Sequence, residues 1–589
     1  MKYRHRFVGK LAVLVASGAL WVAVAAGPAN GATAEAPPLF IDVADQAHVA
    51  VPHHPAVFDM KKLGHIMPMV TAGASGGAVA DYNHDGWLDI FVNDSKTGTR
   101  NHLFRNNGDM TFTDVAEAAG VANMNDDLNA SSMGLFFDYD GDGWEDLLIV
   151  RLGTQVLMKN MGDGTFKDVT VKAGLNKHIN ALAAIAFDYN GDGYVDLYFG
   201  AYYRDIDMFD IHTDEVLHES FETARNGGAN VLFRNNGDGT FTDVTKEAGV
   251  GDTGWTIAVA HGDYDNDGLP DIYVANDYGP DKLFRNTGHG SFKDVTEKAI
   301  GVDTKKGMNA EFGDFNNDGY LDVFVTNITE EWLVECNMLW QNSGHGTFTD
   351  VSKELHVCET GWGWGGKFLD YDNDGDLDLY TTNGFLTGKG NYLDDLLPAL
   401  YDSGENPSNP AKWPDMKGRG IAAEQKNVLF TNLRGTTFVR AENSGVDVAR
   451  DSRAILLGDF DNDGRVDMFV TNNDLNAMLF HNEVKNSNHW TEIVLKGKAP
   501  NTDAVGARLT LTLKGQKQIR EVNIGNGFGG ASMLRQNFGL GKADSIDQLD
   551  IHWPYGDVQT FKNIPADRII RIEQGKSGYT LVTAKGKSK

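Results

Sequence analysis

Five aspartates fall within nine residues in the stretch DYDNDGDLD, Asp370 to Asp378. Carboxylates packed that closely repel one another, so an ordered loop needs an offsetting positive charge. Oxygen ligands at alternate positions, around a glycine that permits a sharp turn, can wrap a hard cation such as Ca²⁺. The pattern occurs seven times, with Asp or Asn at positions 1, 3, 5 and 9 and Gly at position 6. Its candidate metal ligands are Asp81, Asn83, Asp85 and Asp89, then Asp138, Asp140, Asp142 and Asp146, then Asp188, Asn190, Asp192 and Asp196. They continue with Asp263, Asp265, Asp267 and Asp271, with Asp314, Asn316, Asp318 and Asp322, and with Asp370, Asp372, Asp374 and Asp378. Asp459, Asp461, Asp463 and Asp467 close the series. Up to seven Ca²⁺ ions are expected, held more tightly where all four positions are aspartate. A helical EF-hand is excluded, because position 12 is never the Glu it requires: it is Val92, Ile149, Phe199, Val274, Val325, Thr381 and Val470.

The residues after each loop, such as DIFV, DLYFG and DMFVT, are β-branched and aromatic, so each loop is expected to join two strands. A second element alternates with it. LFRNNGDMTFTDV begins at Leu103, and related copies begin at Leu157, Leu232, Leu283, Leu339 and Leu429, each reading as strand, Asn/Gly turn, strand. One repeat is therefore four strands, A to D, with the acidic loop between A and B. The last copy stops at LFHNE (479–483) without a D strand, while LFIDVADQAHV (39–49) is a D strand without a C strand. Lending the early strand to the last repeat closes a ring and removes free sheet edges. The expectation is an all-β fold: a seven-bladed β-propeller over 35–483, followed by a small β-sandwich over 484–589.

The acidic loops and the GDGTFTDV turns resemble the FG-GAP/VCBS family of integrin-like propellers. NHWTEIVLKG, VGARLTLTLKG, NFGLG and IHWPYGDVQT resemble the ASPIC/UnbV domain. Together they resemble the cartilage acidic protein family, and that resemblance implies an extracellular calcium-binding protein without an assigned chemistry.

Composition agrees with export. Lys2, Arg4, Arg6 and Lys10 precede an apolar run from Leu11 to Ala26, then small residues, the layout of a signal peptide over 1–34. No later apolar run could cross a membrane, so a secreted protein without membrane insertion is expected. A net charge of −30 makes nucleic acid and anionic lipid poor partners. The two cysteines, Cys336 and Cys358, could pair after export.

In a propeller the A–B and C–D turns share one face, leaving B–C and D–A connections on the other. The B–C insertions 201–229 and 384–426, the D–A link 48–69 and GWGWGG (361–366) all map to that second face. Insertions gathered on one rim mark a binding face. Tyr202, Tyr203, Trp362 and Trp364 could stack on a sugar ring there, or simply pack near the axis. His48, His53, His54, His65, Met60, Met67 and Met69 offer ligands suited to copper, or form a capping loop. Asp205, Asp207, Asp210, Asp214 and Glu215 could supply paired carboxylates for glycoside chemistry, or form solvated surface. Trp490 and Trp553 of the sandwich could face a glycan or pack in its core, and KQIREVNIG (517–525) is expected to be one arm of a hairpin. The leading functional expectation is a binding or adhesion module for a protein or glycan. A secreted polysaccharide lyase or hydrolase, or a periplasmic copper-binding protein, are the rivals. No zinc-protease motif or P-loop is present.

Overall fold

The computed structural model describes residues 38–402, 406–554 and 556–584. The expected signal peptide and the basic end KGKSK lie outside the described residues. Seven blades of four antiparallel strands span 77–114, 130–168, 180–243, 256–294, 311–350, 363–440 and 452–482, the last taking its fourth strand from Phe40–Asp42 and the first gaining a fifth, parallel strand at Gly530–Ala531. Phe40, Ile41 and Asp42 pair with Asn482, His481 and Phe480, so the chain's early strand seals blade 7 as expected. The A strands contact one another in order around the ring, and blade 7 meets blade 1 through Ser452–Gly458 and Gly77–Ala80.

Buried apolar A and B strands supply the packing between blades, and one asparagine per blade stitches them together. It is the last residue of each C strand. Asn106, Asn160, Asn235, Asn286, Asn342, Asn432 and Asn482 each donate a side-chain N–H to a carbonyl in the preceding blade. The acceptors are Phe460, Tyr82, Tyr139, Tyr189, Tyr264, Phe315 and Tyr371 at 2.7–2.9 Å. The backbone N–H of the same asparagine bonds the position-9 aspartate of its own loop, Asp89 for Asn106 and Asp467 for Asn482, both at 2.8 Å. Seven donors meet seven neighbours, and the circle is complete.

Residues from His489 onward form two stacked four-stranded sheets. One contains His489–Lys496, Gln536–Gly541, Arg568–Glu573 and Tyr579–Leu581. The other contains Arg508–Leu513, Gln516–Glu521, Ser545–His552 and Val558–Pro565. Leu509, Leu511, Phe538, Leu549, Ile551 and Ile570 are fully buried between them, and along LTLTL Leu509 and Leu511 enter this core at alternate positions.

The sandwich lies against the acidic-loop face of the propeller. The expected hairpin arm 517–525 ends at Glu521, because the chain then leaves the sandwich and crosses the axial opening of the ring. Ile524 bridges Ala186 and Gly527 bridges Val259. Gly530–Ala531 runs parallel to Gly77–Ala78, and the Met533 N–H bonds the Leu457 carbonyl at 3.0 Å. The glycines of NIGNGFGG permit this passage: a Cβ on Gly525 would stand 2.3 Å from the Ala184 carbonyl oxygen. The ring therefore has a plugged axis.

Candidate functional site

Two arrangements could bind something, one on each face. On the acidic-loop face, the position-6 glycines have φ between +85° and +101°, a backbone that L side chains rarely adopt. The position-1 aspartate holds the turn from inside. Asp81 accepts the N–H groups of Asp85 and Gly86, both at 2.9 Å, and Asp370 does the same for Asp374 and Gly375. Four loops gather three carboxylates whose ligand oxygens lie within 4.8 Å of one another: Asp138, Asp140 and Asp146; Asp263, Asp265 and Asp271; Asp370, Asp372 and Asp374; Asp459, Asp461 and Asp467. These are the loops with aspartate at all four positions. In the other three, Asn83, Asn190 and Asn316 replace one carboxylate.

The donor set fits a hard cation on a further observation. Asp89 Oδ2, Asp140 Oδ1 and Asp265 Oδ1 are buried without a hydrogen-bond partner, a costly arrangement unless something positive meets them. Burial pushes Asp146 up to about 9, and Asp370 and Asp467 up to about 8. Basic side chains at one C-strand position lean over several loops. Lys159 reaches Asp140 and lies 2.7 Å from Asp142, and Arg285 reaches Asp265 and lies 2.8 Å from Asp267. Blades 5 and 6 carry the uncharged Gln341 and Thr431 there. The sandwich also touches the loops: the Thr502 hydroxyl donates to Asp138 at 2.5 Å, and the Gly539 N–H to Asp370 at 3.1 Å.

On the opposite face a cavity of about 370 Å³ lies beneath the insertions, within the range of about 300–1,000 Å³ common for small-molecule sites. Tyr202, Tyr203, Trp362 and Trp364 all line it. Insertion 201–229 adds Leu217, His218 and Phe221; insertion 384–426 adds Phe385, Leu393, Leu396 and Trp413. Met69 and Val70 come from the N-terminal link, and Trp255 and Tyr278 from blade 4. Trp332, 37% exposed on the hairpin Thr329–Val334, stands at the rim. Nearby, Cys336 and Cys358 form a disulfide. The rings interlock edge to face: Tyr202 and Tyr203 centroids lie 5.0 and 5.5 Å from that of Trp255, and Trp362 stacks on Phe385 at 4.5 Å. At the axis Arg453, fully buried, donates to the Ala72, Gly384 and Phe385 carbonyls and lies 4.0 Å over the Trp364 ring.

The other candidate groupings dissolve. His53 bonds Ser95, His54 bonds Asp94, His65 bonds the Pro410 carbonyl, and Met67 sulfur accepts the Phe58 N–H, so these side chains do not share a copper-like centre. Asp205, Asp210, Asp214 and Glu215 pair with His178, His212, Lys62 and Arg204, and Asp207 accepts the Phe209 N–H. None of those carboxylates lines the cavity. Trp553 is in the sandwich core, and Trp490 packs against Gly464 of the seventh loop, so neither offers a free glycan platform. Sequence reasoning missed His218, Trp255 and Trp413 in the cavity wall.

Repeated acidic loops on a seven-bladed propeller define a class, and the family comparisons find its repeats in this chain. An FG-GAP-like repeat model matches residues 70–136, 138–199, 221–274, 263–325 and 335–381, and an ASPIC and UnbV model matches 497–578. The chain thus contains FG-GAP-like repeats and an ASPIC and UnbV domain. Among curated relatives, cartilage acidic protein 1 of Mus musculus is 24% identical over 517 residues, covering 82% of this chain and 70% of the mouse protein. The Homo sapiens protein of the same name is 26% identical over 330 residues, covering 53% of this chain and only 43% of its own length. Among solved structures, the BP39L lectin from Burkholderia pseudomallei aligns with a TM-score of 0.40 at 12% identity, over 70% of this chain and 97% of the lectin. A likeness that weak says nothing about the ligand. Among the described residues, no helix is long and apolar enough to cross a membrane.

Proposed function

We propose that this protein is an exported binding module: a calcium-stabilised propeller that presents its ligand site on the insertion face. Residues 1–34 act as a signal peptide that is removed on export. Each acidic loop holds one Ca²⁺ through its residues at positions 1, 3, 5 and 9, up to seven ions in all. The support is the orphaned buried carboxylate oxygens and the four carboxylate triads. Calcium supplies charge compensation in these loops and serves the scaffold.

One observation carries the binding assignment. Both long insertions, the N-terminal link and the rim hairpin converge on a single aromatic cavity that contains Tyr202, Tyr203, Trp362 and Trp364. These four contact the ligand, whether it is free or a group displayed by a protein or glycan partner. Crystallographic soaking with a small-molecule fragment set tests this. Fragments should collect in the cavity; fragments bound only on the sandwich or the acidic rim would refute it.

A further inference from the structure

The chemistry of the cavity wall narrows what it accepts. Three of its charged groups, Asp277, Lys306 and Glu335, already have partners. Asp277 accepts the Tyr202 hydroxyl at 2.6 Å, and Lys306 lies 3.0 Å from Glu335. Away from exposed Glu222 and from Lys305, whose ammonium lies against the Met338 sulfur, a charged ligand would enter without a free counter-charge, at a heavy desolvation cost. An oligosaccharide presents a hydroxyl on most carbons and needs many partners, whereas this wall is mainly aromatic and aliphatic. The wall also contains three orphans. His218 is 2% exposed and both its ring nitrogens lack a hydrogen-bond partner, as do the indole nitrogens of Trp362 and Trp364. A buried neutral imidazole has one donor and one acceptor to satisfy, and leaving both unmet is costly. Burial, with the nearby Lys306 ammonium acting in the same direction, holds the His218 imidazole down to about 3, in its neutral form.

Resting on the reading of this cavity as the ligand site, we propose that its ligand is an uncharged, mainly apolar, ring-bearing molecule or group with a single polar function that His218 meets. The rings around it suit flat or alicyclic surfaces through edge and face contacts.

Prodan, a neutral naphthyl ketone whose fluorescence reports polarity, is titrated into the full-length calcium-loaded protein. Saturation at one probe per chain with a blue-shifted emission is expected. Leu396→Trp and Leu182→Trp, which fill the cavity from different walls, should each weaken binding at least tenfold while the circular dichroism spectrum stays that of the parent. His218→Leu should weaken Prodan about fivefold but leave 2-dimethylaminonaphthalene, which lacks the ketone, unchanged. Chito-oligosaccharide, laurate and dodecyltrimethylammonium serve as competitors. If one of these binds and the filling variants abolish it while Prodan does not bind, the ligand class proposed here is wrong and the site reading survives. If no probe responds to either filling variant, both fall.

Discussion

The ring of Phe528, carried by the segment that leaves the C-terminal sandwich, lies 5.2 Å from that of Trp364 in the innermost strand of blade 6. Phe528 belongs to the same apolar cluster as the cavity residues Trp255, Trp362 and Phe385. A domain docked on the acidic face thus reaches through the axis and helps support the chamber on the other face. Phe528→Ala should cost about 3–5 kcal/mol, as buried Phe truncations do, and should lower affinity for any cavity ligand. Denaturant unfolding and probe titration of the same variant check both parts.

The asparagine circle makes a sharper demand at the seam. Asn482 ties blade 7 to the Tyr371 carbonyl of blade 6 and to the Val466 carbonyl of its own loop. Asn482→Ala leaves buried carbonyls unpaired and should destabilise the fold by about 1–3 kcal/mol. Asn107→Ala, altering an exposed turn residue, should change stability by about 0.5 kcal/mol or less. Equal effects in a denaturant melt would remove the asparagines from the stitching role.

Much of this was readable from the chain alone. Seven copies of an acidic nonapeptide, with β-branched sequence after each, require repeated hairpins, and the D strand at Phe40 with no C strand beside it leaves only a closed ring as its partner. Trp362 and Trp364 could be placed at the head of an A strand because GWGWGG immediately precedes the sixth loop. Other parts were not readable. The asparagine that ends LFRN recurs in every copy, yet its partner is a neighbouring blade's backbone, so the motif looks like turn chemistry. KQIREVNIG reads as a hairpin arm as far as Gly525, because the pairing that NIGNGFGG makes instead depends on A strands hundreds of residues away. His218 and Trp413 sit in insertions without periodicity, and only the folded chain brings them to one wall.

Acidity should reveal Asp277. Burial, the leading influence, pushes its carboxyl up to about 7 in the folded protein, against an ordinary value of 3.8. The folded state therefore holds this proton more strongly than the unfolded chain. Its contribution to stability is full below about pH 4, declines as pH rises toward 7 and is flat above. In Asp277→Asn that decline is absent. The stability of the variant relative to the parent, measured in saturating calcium, should rise between pH 4 and 7; a constant difference would contradict the assignment.

The loop glycines allow a clean test of backbone demand. Gly143 has φ +91° and open space where a Cβ would go, so Gly143→Ala introduces strain without a clash. A cost of about 1–2 kcal/mol is expected, together with weaker calcium binding by isothermal titration, because position 6 shapes the cradle around Asp138, Asp140 and Asp146.

The central claim is that cations hold the acidic rim together. At a calcium concentration ten times Kd, each loop gains about 1.4 kcal/mol, and seven independent loops gain about 10 kcal/mol. The direct measurement is the thermal midpoint of the full-length protein in millimolar calcium and again in excess EDTA at the same ionic strength. A drop of about 10 °C or more on chelation is predicted. Midpoints that agree within a few degrees would contradict the account.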